Sequence, residues 1–397
     1  MELSNFDYLP YGRHQITNED IKAVNNVLKS NFLTQGPVVP RFEDKVSEVL
    51  NTDFSIAVTN ATSALHLACL ALGLKQGDLV WTSPNTFVAS ANCARYCGAE
   101  VDFVDIDIKT GLMDMCELSS KLQIAEKNNK LPKIVIPVHF AGSSCDMQTL
   151  YQLSKKYNFS IIEDASHAFG GFYDGKPVGS CIFSDFAVFS FHPVKIITTA
   201  EGGILCTKNK NLADKAFQLR SHGIVKDQTL FENHISGPWS YEQQHLGFNY
   251  RMNDLQAALG LSQVQRIQSI VEERNMQLDF YRDQLKGLPL RILEVPNNVN
   301  SAVHLAVVVL QGFSACNHKE IFTELRDNGI GVQLHYSPVH LNPYYRRLGF
   351  KENDFLKSEL YSRSAFSIPL FPGLQKNDQK RVIKTLKNII LNYEKKQ

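Results

Sequence analysis

Short apolar runs alternate with helical periodicities through the first half of the chain. Strands are predicted at residues 55–59, 79–82, 101–106, 134–138, 159–162 and 185–191. Helical patterns cover residues 17–28, 39–50, 61–72, 88–96 and 150–157. The first of them opens with Thr17 and Asp20 in a capping-box arrangement. The alternation predicts a mostly parallel sheet with helices on both faces, in which ligands bind beyond the carboxyl ends of the strands.

The second half of the chain has a different pattern. One helical stretch rich in Gln, Arg and Glu covers residues 253–285 and is expected to link two domains. Beyond it, strands are predicted at 302–310 and 332–335, and helices at 319–328 and 378–393. The 397 residues are too many for one ordinary core. The prediction is therefore an α/β protein with a large domain at 1–252 and, at 253–397, the linking helix and a smaller C-terminal α+β domain.

Charge and cysteine content argue against several classes of protein. Lys and Arg total 41 against 40 Asp and Glu, which gives no electrostatic reason to expect binding to nucleic acid or to a membrane surface. No run approaches the ~18 apolar residues of a membrane span, and residues 1–9 do not form a signal peptide. The eight cysteines form no C-x-x-C pair, which favours reduced thiols in a cytoplasmic enzyme. Cys93 and Cys97 would share a helix face, but without further ligands they are better explained as buried small residues than as a metal site.

One lysine follows the predicted strand at 185–191. Lys195 ends the largely apolar sequence Phe189-Ser190-Phe191-His192-Pro193-Val194-Lys195. Burial at such a place disfavours the charged ammonium group and lowers the pKa of the amine. A neutral amine is the nucleophile that Schiff-base chemistry with pyridoxal phosphate (PLP) requires. From these residues alone, a lysine that extends its amine to the surface is the more frequent arrangement.

Two further segments supply the features that PLP chemistry needs. Glu163 and Asp164 follow a buried strand, where a carboxylate can pair with a protonated pyridine nitrogen, although capping of the next helix is equally frequent. Residues 59–64, Thr-Asn-Ala-Thr-Ser-Ala, lie between a strand and a helix, where backbone N–H groups can hold a phosphate or form a plain cap. No G-x-G-x-x-G or Walker sequence supports a dinucleotide or P-loop site. The order of phosphate site, acid and lysine fits a PLP enzyme of fold type I.

Six sequence motifs occur in a fixed order along the chain: Leu33-Thr34-Gln35-Gly36-Pro37, Asn60-Ala61-Thr62-Ser63-Ala64-Leu65, Glu163-Asp164-Ala165-Ser166-His167-Ala168, Ser190-Phe191-His192-Pro193-Val194-Lys195, Gly247-Phe248-Asn249-Tyr250-Arg251-Met252 and Pro369-Leu370-Phe371-Pro372-Gly373-Leu374. With these motifs, the chain resembles the DegT/DnrJ/EryC1/StrS sugar aminotransferases over nearly its full length. Residues 90–94, 96–99, 219–224, 237–239 and 333–340 are most similar to the branch of the family that acts in pseudaminic acid biosynthesis. The resemblance implies the fold of the type I PLP-dependent transferases.

The resemblance also assigns cofactor roles to individual residues. Lys195 would form the Schiff base with PLP and then serve as acid and base, and Asp164 would pair with the pyridine nitrogen. Phe87 would stack on the ring, unless it is an ordinary core aromatic. His167, where many relatives have Gln, would lie near the phenolic oxygen of the ring. The phosphate would be held by Thr62, Ser63, Ser190 and Asn249 of the partner subunit.

The role of Asn249 implies a homodimer with shared active sites, whereas a turn residue that serves its own chain is the alternative. The residues expected to line the sugar-nucleotide pocket are Tyr11, Asn31, Phe32, Leu33, Thr34, His335, Tyr336 and His340. A metal site at His335 and His340 is not expected, because no acid or third ligand accompanies them. Arg220 and Arg251 would contact a phosphate or carboxylate, or each would form a structural ion pair.

The implied reaction transfers an amino group from L-glutamate to C4 of a UDP-linked 4-keto-6-deoxy-N-acetylhexosamine, with ping-pong kinetics. Another 4-keto sugar, such as a perosamine or bacillosamine precursor, is one alternative. A PLP-dependent sugar dehydratase is a second, but such enzymes replace the lysine with histidine. A non-catalytic sensor of PLP or sugar nucleotide is a third, and loss of the lysine or the acid would reveal it. Lys195 and Asp164 are both present, which disfavours the last two.

Overall fold

The computed structural model describes residues 8–233 and 237–394, so the prediction about a signal peptide falls mostly on residues outside it. The helices are α1 (Asn18–Leu28), α2 (Val38–Leu50), α3 (Ala61–Ala71), α4 (Ala89–Tyr96), α5 (Met115–Lys127), α6 (Met147–Tyr157), α7 (Lys210–Arg220), α8 (Asp254–Val264), α9 (Ile267–Gln284), α10 (Ala315–Asp327), α11 (Pro343–Arg346), α12 (Leu356–Ser362) and α13 (Lys376–Glu394). The strands are β1 (Phe54–Val58), β2 (Leu79–Thr82), β3 (Glu100–Phe103), β4 (Ile134–Ile136), β5 (Ser160–Asp164), β6 (Phe172–Tyr173), β7 (Lys176–Pro177), β8 (Phe186–Ser190), β9 (Gly203–Thr207), β10 (Ile224–Val225), β11 (Glu242–Gln243), β12 (Leu290–Ile292), β13 (Val299–Asn300), β14 (Ala306–Leu310) and β15 (Ala365–Ile368).

A seven-stranded sheet forms the centre of the large α/β unit, in the order β1-β9-β8-β5-β4-β2-β3. The strands from β8 to β3 pair in parallel, and β9 runs antiparallel to both β1 and β8. Successive residues of one strand enter different cores, as Val135 and Ile136 of β4 do. The sheet is therefore buried on both faces, and the prediction of a mostly parallel central sheet is confirmed.

A second, antiparallel sheet, β12-β14-β15, lies in the C-terminal part of the chain. Its apolar face packs into a hydrophobic core that is separate from the two cores on the faces of the central sheet. Val308, Phe366, Leu325 and Leu386 belong to this core, so β14, β15, α10 and α13 share one apolar layer. This is the smaller α+β unit that the sequence predicted. The exact division at residues 252 and 253 stays a prediction.

The predicted helix at 253–285 is two helices rather than one. Helix α8 ends at Val264 and α9 begins at Ile267, and between them Arg266 has a non-helical backbone. The Arg266 guanidinium forms an ion pair with the buried Asp20 of α1 at 2.8 Å, which ties the break to the packing of α1 on α8. Periodicity alone contains no sign of this contact.

In the small unit, both predicted strands are shorter than expected, and both differences matter for the site. Residues 302–305 precede β14 and bond to the large unit instead, through His304 N to Ala141 O at 2.8 Å. The predicted strand at 332–335 is reduced to one bridge between Gln333 and Ser367. Both segments leave their sheet and carry histidine side chains towards the large unit.

Candidate active site

A cavity of about 580 Å³ opens where the carboxyl ends of the parallel strands meet the segments from the small unit. Its large-unit wall follows β1, β2, β4, β5 and β8, which is where a parallel sheet places ligands. The residues that line it are Tyr11, Asn60, Ala61, Thr62, Leu65, Thr86, Phe87, Ala89, Val138, Asp164, Ser166, His167, Ser190, His192, Val194, Lys195, Glu201, His304, Gln333, Leu334, His335 and Tyr336.

Lys195 lies in this wall, five residues beyond the end of β8. Burial lowers the pKa of its amine to about 8, while the nearby Asp164 carboxylate acts in the opposite direction. No described residue forms an ion pair with Lys195. At pH 7 about a tenth of the amine is therefore neutral and nucleophilic, far more than for a lysine with an ordinary pKa.

Asp164 is the last residue of β5 and is 6% exposed. Its Oδ2 accepts a hydrogen bond from Ser90 Oγ at 2.6 Å, and its Oδ1 accepts one from the backbone N–H of Ser166 at 3.2 Å. The Ser90 hydroxyl lies 2.8 Å from that of Thr86. The carboxylate is thus fixed in orientation at the cavity wall by two neighbouring donors.

The N-terminus of α3 forms another part of the wall. Asn60 caps the helix, and its Oδ1 accepts from Ser63 N at 2.9 Å and from Ser63 Oγ at 3.0 Å. Thr62 lines the cavity, whereas Ser63 does not, and its backbone N–H and hydroxyl both bond to the Asn60 cap. The roles of Thr62 and Ser63 as phosphate ligands stay predictions.

Close approach of β9 fixes the start of α3. A Cβ at Gly203 would lie 2.5 Å from Ala61 N and 2.5 Å from Asn60 C, so only glycine allows this spacing. Ser190, the last residue of β8, lines the same region of the cavity. Phe87 forms another side of it and is 58% exposed, so it is not an ordinary core aromatic.

Aromatic and imidazole side chains close the remaining side. Tyr336 Oη lies 3.1 Å from His167 Nε2, and the ring of His304 lies 4.4 Å from that of His167. His335 packs edge-on against Tyr11, with ring centroids 5.1 Å apart. Burial lowers the pKa of His167, of His304 and, to about 3, of His335, so all three rings are neutral at physiological pH.

Several predicted residues lie outside the cavity. His340 is fully buried beside Phe355, with Nε2 3.1 Å from Glu359 Oε1, so its expected contact with substrate is wrong. Asn249 is exposed and bridges to Ser221 in its own chain. The residues of the predicted substrate loop are exposed on the surface and do not line the cavity: Asn31, Phe32, Leu33 and Thr34.

The two arginines line the same second cavity, outside the one that contains Lys195, and only Arg220 has an ion pair among the described residues. Arg220 forms a buried ion pair with Glu43 at 2.6 Å and also donates to Ala57 O at 2.8 Å, which supports the structural alternative for this residue. This cavity of about 760 Å³ lies between α2 and α7, and Arg251 contributes to its wall together with Arg220. Neither residue reaches the cavity that contains Lys195.

No group of three or more His, Cys, Asp or Glu side chains in residues 8–233 and 237–394 is arranged to hold a metal ion. Within the same ranges, no helix is both long and apolar enough to cross a membrane. Cys93 in α4 and Cys97, which caps the end of α4, are free thiols.

Among the residues of the cavity region that the sequence analysis missed, His304 and Ser90 show what signals were available. His304 was placed inside a predicted strand, because residues 302–310 are continuously apolar except at this position. That single polar residue was the available signal. Ser90 carried no comparable signal, since nothing in a helical pattern shows that its hydroxyl reaches a carboxylate 74 positions away.

Comparison with known proteins decides the family. The model of the DegT/DnrJ/EryC1/StrS aminotransferase family matches residues 14–387. The chain belongs to this family. It is 36% identical over 388 residues to the UDP-4-amino-4,6-dideoxy-N-acetyl-β-L-altrosamine transaminase of Campylobacter jejuni, which covers 98% of this chain and 99% of that protein.

Solved structures agree with the family assignment. Helicobacter pylori PseC, an aminotransferase involved in the biosynthesis of pseudoaminic acid, matches with a TM-score of 0.89 at 29% identity, over 97% of this chain and 100% of that one. The PLP form of Spr1654, a putative sugar aminotransferase from Streptococcus pneumoniae, matches with a TM-score of 0.87 at 28% identity, over 97% and 99% of the two chains. The prediction of a PLP-dependent sugar aminotransferase of fold type I is thereby confirmed.

The chemistry of the cavity fits PLP. It offers a lysine amine without an ionic partner, a buried carboxylate at a strand end and the N-terminus of a helix for a phosphate. His167 Nδ1 is buried and has no hydrogen-bond partner among the described residues, so a polar group of the ligand can satisfy it.

Proposed function

We propose that this sugar aminotransferase moves an amino group from L-glutamate to C4 of a UDP-linked 4-keto-6-deoxy-N-acetylhexosamine. The product would be UDP-4-amino-4,6-dideoxy-N-acetyl-β-L-altrosamine, an intermediate of pseudaminic acid biosynthesis. Support for the sugar comes from the 36% identity to the C. jejuni transaminase over nearly the whole of both chains. The likeness to H. pylori PseC supports the same pathway.

One observation supports the amino transfer: Lys195 and Asp164 line the same cavity. The Lys195 amine has a pKa lowered to about 8, and the Asp164 carboxylate is held by Ser90 and by the N–H of Ser166. Bound PLP supplies an electron sink for the negative charge that develops on the reacting carbon. Asp164 would keep the pyridine nitrogen of that ring protonated, which is what makes the ring accept electrons.

Lys195 would perform both proton transfers. Its amine removes the proton from the α-carbon of glutamate in the first half-reaction and delivers a proton to C4 of the sugar in the second. An amine whose pKa is near 8 can serve in both directions close to neutral pH. Thr62 and Ser190, together with the N-terminus of α3, would hold the cofactor phosphate, and Phe87 would cover one face of the ring.

We further propose that the active site is completed by a second copy of the chain. Among the described residues that line the cavity, Lys195 is the only lysine or arginine. Glutamate and UDP together bring carboxylate and phosphate groups that this wall does not neutralise. Asn249 and Arg251 are displayed outside the cavity of their own chain, and a homodimer would bring Asn249 of the partner subunit to the cofactor phosphate.

The substrate loop fits the same arrangement. Phe32 and Leu33 are 54% and 49% exposed, which is unusual for two adjacent large apolar residues. Loop 31–34 would face the sugar nucleotide in the assembled dimer, as the resemblance implied. Tyr11, His335 and Tyr336 would contact the sugar from within the cavity of the same chain.

Absorption spectroscopy tests the first half-reaction. Purified protein incubated with PLP should show the band of lysine-bound cofactor, and L-glutamate should convert it to the band of the aminated cofactor. Lys195→Ala should show no such band, whereas Lys286→Ala, which changes an exposed lysine paired with Asp283, should behave as wild type. A wild-type protein that forms no lysine-bound cofactor would refute the role of Lys195.

Return of the absorption band of lysine-bound cofactor, after glutamate has removed it, tests which sugar is the substrate. A UDP-4-keto-6-deoxy-N-acetylhexosamine of the L configuration should restore it fastest, with ping-pong kinetics, and NMR of the product should show the altro configuration at C4. Faster restoration by a precursor of perosamine or bacillosamine would assign one of those sugars instead. A protein that binds PLP but is unchanged by any amino donor would be a sensor.

A further inference from the structure

His167 lines the proposed cofactor cavity, so a role for its ring towards the cofactor rests on the proposed function. His167 is 4% exposed, and its two ring nitrogens have different surroundings. Nε2 lies 3.1 Å from the hydroxyl of Tyr336. Nδ1 is buried and has no hydrogen-bond partner among the described residues.

The direction of the Tyr336 contact decides which nitrogen carries the proton. A phenol is a good donor and a weak acceptor, whereas the unprotonated nitrogen of a neutral imidazole is a strong acceptor. If Tyr336 donates, one bond satisfies both the hydroxyl hydrogen and the lone pair of Nε2. In the opposite direction, the hydroxyl hydrogen would need another acceptor, and no described residue supplies one to Tyr336 Oη.

We propose that Tyr336 is a positioning residue that donates its hydroxyl hydrogen to His167 Nε2 and so fixes the tautomer in which Nδ1 carries the proton. The Nδ1–H is then a buried donor whose acceptor is the anionic phenolic oxygen of PLP. The opposite tautomer would turn a lone pair towards that oxygen and repel it.

The surroundings of His167 keep this arrangement in place. Burial and the nearby ammonium group of Lys195 lower the pKa of His167, so the ring stays neutral and one nitrogen is always an acceptor. Burial and the Asp164 carboxylate raise the pKa of Tyr336 far above neutrality, so its hydroxyl keeps the hydrogen that it donates. Tyr336 comes from the small unit and His167 from the large unit, so the contact also makes the state of the ring depend on how the two units pack.

NMR of protein labelled with ¹⁵N-histidine reads the tautomer directly. Loss of a signal pair in His167→Gln assigns the ring among the 12 histidines. In the wild-type apoprotein, the Nδ1 shift should be that of a protonated nitrogen and the Nε2 shift that of an acceptor. Protonated Nε2 in this spectrum would overturn the proposal without reference to any variant. Because the apoprotein is used, the result is independent of whether PLP is the cofactor.

Tyr336→Phe removes the donor and keeps the ring. The two ¹⁵N shifts of His167 should then move towards the average of a tautomer mixture, and unchanged shifts would contradict the proposal. In the holoenzyme, a donor to the phenolic oxygen draws charge from it and lowers the pKa of the cofactor–lysine linkage, which absorbance titration measures. Tyr336→Phe should raise that pKa by about one unit, a tenfold change in proton affinity.

His167→Gln separates a role in tautomer choice from mere packing. The amide NH2 of glutamine donates whatever Tyr336 does. Tyr336→Phe should therefore shift the pKa of the linkage much less in the His167→Gln background than in wild type. Equal shifts in the two backgrounds would show that Tyr336 acts by a route other than His167. Absence of any lysine-bound cofactor band in wild type would instead refute the proposed function and leave the apoprotein result standing.

Discussion

At the scale of the single residue, the charge state of Lys195 has a consequence for stability. Burial lowers the pKa of its amine to about 8 from an ordinary value of 10.5. Between these two pH values the unfolded chain binds more protons than the folded apoenzyme, so the free energy of unfolding should rise with pH across this window. Below pH 8 both states carry the charge, and its burial costs the folded state about 3 kcal/mol.

Lys195→Met removes that cost while nearly preserving side-chain volume. The variant apoenzyme should resist urea better than wild type at about pH 7, and the difference should shrink as the pH rises towards about 10. Lys286→Ala should follow the wild-type curve at both pH values, because its lysine is exposed. A difference between Lys195→Met and wild type that stays constant with pH would show that the amine is not desolvated.

Ser90 offers a second test at this scale. Its hydroxyl donates to Asp164 Oδ2 at 2.6 Å, and a hydrogen bond to a charged group contributes about 1.5–3 kcal/mol. Ser90→Ala should therefore raise the dissociation constant of PLP by about tenfold or more, measured by absorbance titration. Ser154→Ala is the matched control, because Ser154 is also buried but bonds to Tyr151 O on α6. Equal PLP affinity in both variants would mean that Ser90 does not orient the carboxylate.

At the scale of the element, the contact between β9 and α3 should determine phosphate binding. Gly203→Ala would place a methyl group 2.5 Å from Ala61 N, which forces the start of α3 away from the sheet. Overpacking of this kind costs about 1–3 kcal/mol. PLP affinity should fall by about tenfold, while affinity for pyridoxal, which lacks the phosphate, should change little. Gly12→Ala is a control, since its nearest neighbour would be Val194 Cβ at an ordinary 3.9 Å.

The helices and strands also show how much of the structure could be predicted from the sequence. Strand β2 and helix α2 lie within a residue of their predictions, because each is a short periodic run between clear breaks. The break at Arg266 was missed because its cause is an ion pair with Asp20, which is distant in sequence. His340 was misplaced for the same kind of reason: its spacing from His335 is local, but its partner Glu359 belongs to α12. Lys195 and Asp164 were predicted as site residues because Asp164 ends one strand and Lys195 follows another within five residues.

At the scale of the whole molecule, the large and the small unit each contribute residues to the cavity, and neither unit forms it alone. The parallel sheet supplies Lys195 and Asp164, and the segments that precede β14 and follow Ile330 supply His304 and Tyr336. Among the described residues of its wall, Lys195 is the one lysine or arginine, and its amine is not permanently charged, whereas the substrates carry several negative charges. This mismatch is the whole-molecule argument for a second chain, and it leads to a test that a monomeric site cannot pass.

Mixing two inactive variants gives that test. Lys195→Ala lacks the amine, and Asn249→Ala should bind PLP poorly if Asn249 of the partner subunit holds the phosphate. Unfolded together and refolded as a mixture, the variants would form heterodimers with one intact site, built from Lys195 of one chain and Asn249 of the other. Activity should recover to about a quarter of the wild-type value, the share of intact sites under random pairing. If Asn249 served its own chain, every site would lack one of the two groups, and no mixture would exceed the activity of the single variants.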